Sequence, residues 1–210
     1  FGEFPGKYAM VVFSKYPIDT EAIRTFEEIL WKDMPGNLIP LGFYTADEQE
    51  VFRISSKSHW DIPIEILGTH FHFLVSHPTP PVFDGAEDRN GRRNHDEIRL
   101  WADYLTPGSA GYLSGGLEEG ERFVIAGDQN ADPTRGDSVN AAINQLLDHP
   151  RVSGEFVPSR TGATTTSNRF DTATFRLRAD YVLPSHEGFQ IEDGAVYWPT
   201  GSQEGASLVT

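Results

Sequence analysis

Cysteine is absent from the 210 residues, and no apolar run is longer than about six. The first absence excludes disulfide scaffolds, thiolate metal sites and a cysteine nucleophile. The second excludes a membrane-spanning helix, which needs roughly 18 to 20 consecutive apolar residues. Positive charge is scarce as well, with 17 Lys and Arg against 31 Asp and Glu, a net charge of −14. That balance argues against tight non-specific nucleic-acid binding, which depends on basic residues neutralising phosphates. Basic residues local to one site remain compatible with it. Core material is plentiful: 38% of the chain is apolar and 12% aromatic, including 14 Phe and 4 Trp. The chain therefore reads as folded, with residues 1–210 forming a single domain. It begins at Phe1 without a charged-then-apolar leader, so it reads as processed or as a piece of something longer. Surface acidity and the lack of cysteine suit a secreted or periplasmic location.

Hydrophobic patterning predicts a buried strand at Tyr8–Phe13 and a helix from a cap at Asp19 or Thr20 to about Trp31, with Ile23, Phe26 and Leu30 on one face. Strands are predicted at Val51–Ser55, Ile62–Gly68 and Thr69–Val75; Pro63 makes the second an edge strand, and the prolines after His77 end the third. Phe83–Asn94 is a polar loop long enough to suggest a functional role. Asn94 and Glu97 then resemble a capping box opening a helix that carries Ile98, Trp101, Ala102 and Leu105. Phe123–Ala126 is a short apolar strand. A third helix, capped by Asp137 or Ser138, presents Val139, Ala142, Ile143, Leu146 and Leu147. A polar loop spans Ser159–Asn168, a strand lies within Phe175–Leu183, and Val196–Trp198 precedes a polar tail. Strands and helices without strict alternation predict an α+β protein, a mixed sheet system with helices packed outside.

Three segments carry chemistry. In Gly127-Asp128-Gln129-Asn130 an apolar strand delivers a carboxylate and a carboxamide, at i and i+2, to one side of its end, where they can orient water or bind a metal or phosphate oxygen. An Asx-rich turn is the plain alternative. His77, in Ser76-His77-Pro78, stands where a strand gives way to solvent; a lone histidine is more often structural. His70 and His72 point to the opposite face and read as packing or surface residues. Asp180, in Arg178-Ala179-Asp180-Tyr181-Val182, is an acid in an otherwise apolar strand and needs a partner if buried. A histidine or arginine is the natural partner, and a salt bridge to Arg176 or Arg178 would suffice.

In this order the three segments resemble the endonuclease/exonuclease/phosphatase superfamily of metal-dependent phosphoesterases. The resemblance begins at Tyr8–Ile18, a strand followed by Ser14-Lys15-Tyr16-Pro17-Ile18, and covers nearly the whole chain, with Gln129 where Phe or Leu is usual and Ala179 where a larger aliphatic residue is commoner. It implies a deoxyribonuclease-like four-layer fold, a two-sheet mixed β-sandwich flanked by helices, incomplete at both termini. It also implies roles. Asp128 would orient or deprotonate the attacking water, Asn130 would hold a phosphate oxygen, His77 would donate to the phosphate, and Asp180 would orient a catalytic histidine. Asp128 and Asn130 would be metal ligands, and the metal Mg2+ (or Mn2+ or Ca2+). Lys57, Arg92 and Arg93 would bind substrate, with Arg89 and Trp60 as further platform residues. The substrate would be a phosphorylated small molecule, a phospholipid headgroup or nucleic acid. The segment Ser55–Asp61 together with Phe83–Arg99 resembles a bacterial, secreted branch.

The family pattern also contains an Asn and a Leu-Gln-Glu metal ligand upstream of Tyr8, and a closing Ser-Asp-His after Val196–Trp198. Neither is in this sequence. The expectation is a partial domain, weakly active or inactive alone. Two other readings stand beside it: a binding or scaffold module that keeps the sandwich without catalysis, and a carbohydrate or ester hydrolase using Asp128 and Asp180 as a carboxylate pair.

Overall fold

The computed structural model describes residues 4, 6–160, 168–199 and 203–208; most of the predicted loop Ser159–Asn168 lies outside these. Five strands, β1 (Arg24–Thr25), β2 (His59–Ile66), β3 (Thr69–Ser76), β4 (Phe123–Asp128) and β5 (Asp180–Pro184), form one sheet in that order. All neighbours are antiparallel except β3 and β4, which run parallel. Among the described residues there are also three α-helices, α1 (Ala46–Gln49), α2 (Arg89–Leu105) and α3 (Asn144–Leu147), and four 3-10 turns. The α+β class predicted from patterning is what the molecule shows. Of the two sheets implied by resemblance, the described residues form one.

Alternation along the strands divides the sheet into two faces. Phe123, Ile125, Leu74, Tyr181 and Leu183 point to the face covered by α2, whose Ile98, Leu100, Trp101 and Leu105 are fully buried. Burial of each such side chain contributes about 1.5–3 kcal/mol, so this interface is the main anchor of α2 on the sheet. The opposite face carries a smaller cluster, Ile62, Ile64 and Val75, with Trp60, Phe73 and Ala126 partly buried around it.

Two predicted elements are overturned. Tyr8–Phe13 forms no strand: Val11 is 69% and Phe13 90% exposed, and only Val12 packs, against the smaller cluster. A β-branched run without an adjacent strand has nothing to complete its ladder. Residues 20–31 form no helix either. The Arg24 guanidinium reaches Tyr104 Oη and the carbonyls of Leu113 and Gly115, while Phe26 N–H donates to His59 O at 3.0 Å. Long-range bonds draw this segment onto the sheet as β1 and override its periodicity.

Smaller differences follow the same logic. Val51–Ser55 makes only an isolated bridge, Leu30 to Arg53. β2 is not the predicted edge strand, since β1 and β3 flank it; Pro63 is accommodated because its carbonyl accepts from Asp19 N–H on the sparsely paired side, where the missing donor interrupts little ladder. The predicted loop Phe83–Asn94 is helical from Arg89 onward, behind Asp88 in the left-handed region (φ 54°). Asn94 and Glu97 are therefore interior helix residues, both fully buried, and not a cap. The third predicted helix is a 3-10 turn at Val139–Ala141 followed by α3.

Candidate active site

Sheet register assembles the three chemical segments. Parallel pairing of Val75 with Ala126 places His77, just past β3, beside Asp128, the last residue of β4. Antiparallel pairing sets Asp180 directly opposite Asp128. His77 Nε2 lies 3.7 Å from Asp128 Oδ2. Residues about 50 apart in sequence thus meet at one end of the sheet, on the face away from α2.

The turn after β4 is built for this. Gly127 has φ 148°, and a Cβ there would meet Ser76 O at 2.0 Å, so any larger residue would drive β4 away from β3. Asn130 is left-handed (φ 52°), a conformation Asn tolerates. Its backbone N–H donates to Asp128 Oδ1 at 2.8 Å, the Asx turn of the plain alternative, and its side-chain amide donates to Pro78 O at 3.1 Å. Both readings of this segment therefore hold together: the turn exists, and it aims Asp128 Oδ2 at His77. Gln129 is fully buried, donates its N–H to Ala179 O at 2.7 Å, and lies against the Ser76 hydroxyl, to which the Trp101 indole N–H also donates. The polar residue at a usually apolar position is bonded inside the core.

The electrostatics of the group are unusual. Burial raises Asp128 above the ordinary carboxylate range against the opposing pull of the Asn130 N–H and Lys57. Asp180 is raised as well, by lost solvation and by the Asp128 charge opposite it, although the residue is solvent-exposed and the effect correspondingly weaker. Burial and the Lys57 charge lower His77, which leaves its imidazole neutral at pH 7. Lys57 is itself lowered by burial; its ammonium donates to Pro78 O at 3.1 Å, the same carbonyl that Asn130 uses. Beside the carboxylates opens a cleft of about 950 Å³ whose walls include Asp128, Asp180, Phe156, Val182, Ile191 and Tyr197.

Lys57 is thus brought to the site, and the other basic candidates are engaged elsewhere. Arg93 donates to the carbonyls of Ile54 and Arg53 and lies 4.6 Å over the Phe52 ring; Arg92 donates to Glu87 O at 3.1 Å; Arg89 pairs with Glu87. Trp60 belongs to the smaller apolar cluster. Arg176 and Arg178 do not pair with Asp180: Asp180 N–H and Ala179 N–H both donate to Thr172 Oγ1, and the Arg178 guanidinium lies over the Tyr181 ring. His72 is no surface residue. Its Nδ1 lies 2.8 Å from buried Asp61 on the neighbouring strand.

A profile of the Endonuclease/Exonuclease/phosphatase family matches residues 1–203. The chain belongs to that family. No curated protein matches the sequence. Among solved structures it is similar to sphingomyelinase C from Streptomyces griseocarneus, with 18% identity, 85% of this chain and 53% of that one covered, and a TM-score of 0.48. A β-hairpin deletion mutant of beta toxin from Staphylococcus aureus gives 11%, 69%, 50% and 0.46. An endonuclease/exonuclease/phosphatase from Beutenbergia cavernae gives 16%, 82%, 39% and 0.44. The chain spans about half the length of the first two.

The donor types, though not a complete set of protein ligands, suit the divalent cation associated with this family. Magnesium is held by one or two carboxylates, with water and substrate phosphate oxygens completing its shell. Asp128 and Asp180, face to face with raised affinities for a proton, and the Asn130 carboxamide supply hard oxygen donors of that kind. Among the described residues no group of three or more His, Asp or Glu side chains could hold a metal.

Proposed function

We propose that the parent domain of this chain hydrolyses phosphate ester bonds with a divalent metal, magnesium by preference, and that the chain alone is weakly active or inactive. The observation that carries the reading is the cross-strand pair Asp128–Asp180 with His77 beside it. Two like charges directly opposite on neighbouring strands are destabilising, and such an arrangement has a purpose where a cation or a developing positive charge lies between them. Asp128 and Asn130 would hold the metal, with Asp180 on the same face. When bound, the cation supplies positive charge to the phosphoryl oxygens.

The chain's own residues divide the remaining work. Asp128 would orient the attacking water or take its proton, beside the cation it helps to hold. The neutral His77 imidazole donates a hydrogen bond to a phosphate oxygen. Lys57, pinned by Pro78 O, adds fixed positive charge beside Asp128. Asp180, directly opposite Asp128, would orient a catalytic histidine, as the resemblance implies.

The engagement of Arg89, Arg92 and Arg93 in protein contacts favours a small phosphorylated substrate, such as a sugar phosphate or lipid headgroup, over long nucleic acid, which needs a basic and aromatic platform. The partly apolar cleft beside the carboxylates suits the non-phosphate part of such a substrate. No helix among the described residues is long and apolar enough to cross a membrane, which is compatible with secretion. Assays of bis-p-nitrophenyl phosphate, a phosphomonoester and plasmid DNA with magnesium and with a chelator test the reading. Turnover of a small ester that chelation abolishes and Asp128→Asn lowers about 10²- to 10⁴-fold is the expected result. Turnover that survives complete chelation would favour a metal-free carboxylate-pair hydrolase instead.

A further inference from the structure

The loops carrying Lys57, His77 and Asp128 are not held by one another alone. All three are tied to α2 by two side chains that the reaction does not use. Glu97, fully buried, accepts from Ser56 N–H on one carboxylate oxygen and from Thr79 N–H on the other, both at 2.6 Å. Asn94, one turn earlier and also fully buried, donates its side-chain amide to Thr79 O at 2.8 Å and to Gln129 O at 2.9 Å. Ser56 immediately precedes Lys57, Thr79 follows His77-Pro78, and Gln129 lies between Asp128 and Asn130. Each of the three loops is therefore gripped within two residues of its functional side chain.

We propose that Glu97 and Asn94 are positioning residues that set the mutual geometry of Lys57, His77, Asp128 and Asn130. The proposal rests on the phosphoesterase reading for its functional consequence and on hydrogen bonding for its physical content. Charge-assisted bonds to backbone N–H groups are short and directional. A clamp of this kind fixes backbone as well as side chain, which matters because displacement of about 1 Å at a reacting centre costs on the order of 10²-fold in rate.

The adjacent residue supplies a control. Asp96 is equally buried on the same turn of α2, and one of its oxygens accepts from Trp31 Nε1 and Leu38 N–H at 2.7 and 2.6 Å, a clamp on a segment that carries no site residue. A glutamine at 97 can accept from only one of the two amides and presents an N–H to the other. Two variants of the full chain, Glu97→Gln and Asp96→Asn, are compared by melting temperature, backbone amide NMR and steady-state kinetics on bis-p-nitrophenyl phosphate with magnesium. Both are expected to melt lower. Only E97Q is expected to shift the amide signals of Lys57, His77 and Asn130 and to lower kcat about 10- to 100-fold, the range seen when residues orienting a site are removed, with a smaller change in KM. If E97Q does not fold, Asn94→Ser reads the same signals with Glu97 in place. Unchanged site amides in E97Q, or equal changes in D96N, overturn the proposal. Shifted site amides support the clamp whether or not the chain turns over substrate, so failure of the clamp and failure of the phosphoesterase reading are distinguishable.

Discussion

Two polar networks are built on this one sheet, and they are opposites. On β2 and β3, buried Asp61 lies 2.8 Å from His72 Nδ1 and accepts from Tyr104 Oη at 2.6 Å, while Tyr104 accepts from Arg24 at 2.9 Å. Asp61 has His72 beside it, and the Arg24 guanidinium is held by Tyr104 Oη and main-chain carbonyls. At the ends of β4 and β5, Asp128 and Asp180 face each other, and Lys57 and a neutral His77 only partly offset them. Burial opposes the His72 charge, but Asp61, and after it Glu121, more than compensate and raise its pKa; around His77 burial is reinforced by the Lys57 charge, outweighs the nearby carboxylates and lowers it. A satisfied network stabilises the fold. A network left with unmatched like charge holds free energy that a ligand can release, and this is the physical mark of a site rather than of a core.

The contrast can be tested from its strongest side downward. Asp61→Ala strips the partner from His72 and Tyr104 and should cost about 3 kcal/mol or more, the range for breaking a buried pair; urea denaturation measures it, and a loss under about 1 kcal/mol would erase the distinction. Gly127→Ala should cost about 2 kcal/mol, since the Cβ meets backbone and cannot be accommodated by a side-chain shift, and should separate His77 from Asp128. Its effect on activity should exceed what its stability alone explains. Asp180→Asn should do the reverse of D61A, stabilising the protein by a few tenths to about 1 kcal/mol while lowering activity. Destabilisation by D180N would mean that the acid is already paired.

The subtlest test is pH. His72 is raised in the folded state, so its contribution is fully present below its unfolded value of about 6.5 and is lost as pH rises through the higher folded value. His59, buried and lowered to about 4, works the other way: its contribution is present above about 6.5 and fades as pH falls toward 4. Melting temperature against pH should therefore decline above 6.5 in the wild type and flatten there in His72→Gln, with the acid limb unchanged.

Legibility of the fold followed the range of the forces involved. The strands of Thr69–Ser76 and Phe123–Asp128 and the apolar stripe of α2 were readable because side-chain alternation and helical spacing are local. Tyr8–Phe13 and the segment around Arg24 were misread because their conformations depend on partners up to 90 residues away. The chemical side chains His77, Asp128, Asn130 and Asp180 were readable by type and motif, and Lys57 by charge. Glu97 and Asn94 were seen only as a helix start. Their spacing carried a capping signal, and the one further clue, three polar residues (Asn94, Asp96 and Glu97) on the buried side of the helix, required knowing which side was buried.

The sequence by itself determined the family, the composition of the core and the identity of the groups able to do chemistry, because these are properties of residues and short motifs. Only the tertiary structure decided that β3 and β4 run parallel, that Asp128 faces Asp180, and that one helix holds three loops. Those outcomes come from pairing between segments far apart in the chain, where burial and hydrogen bonding between partners outweigh what any segment prefers alone.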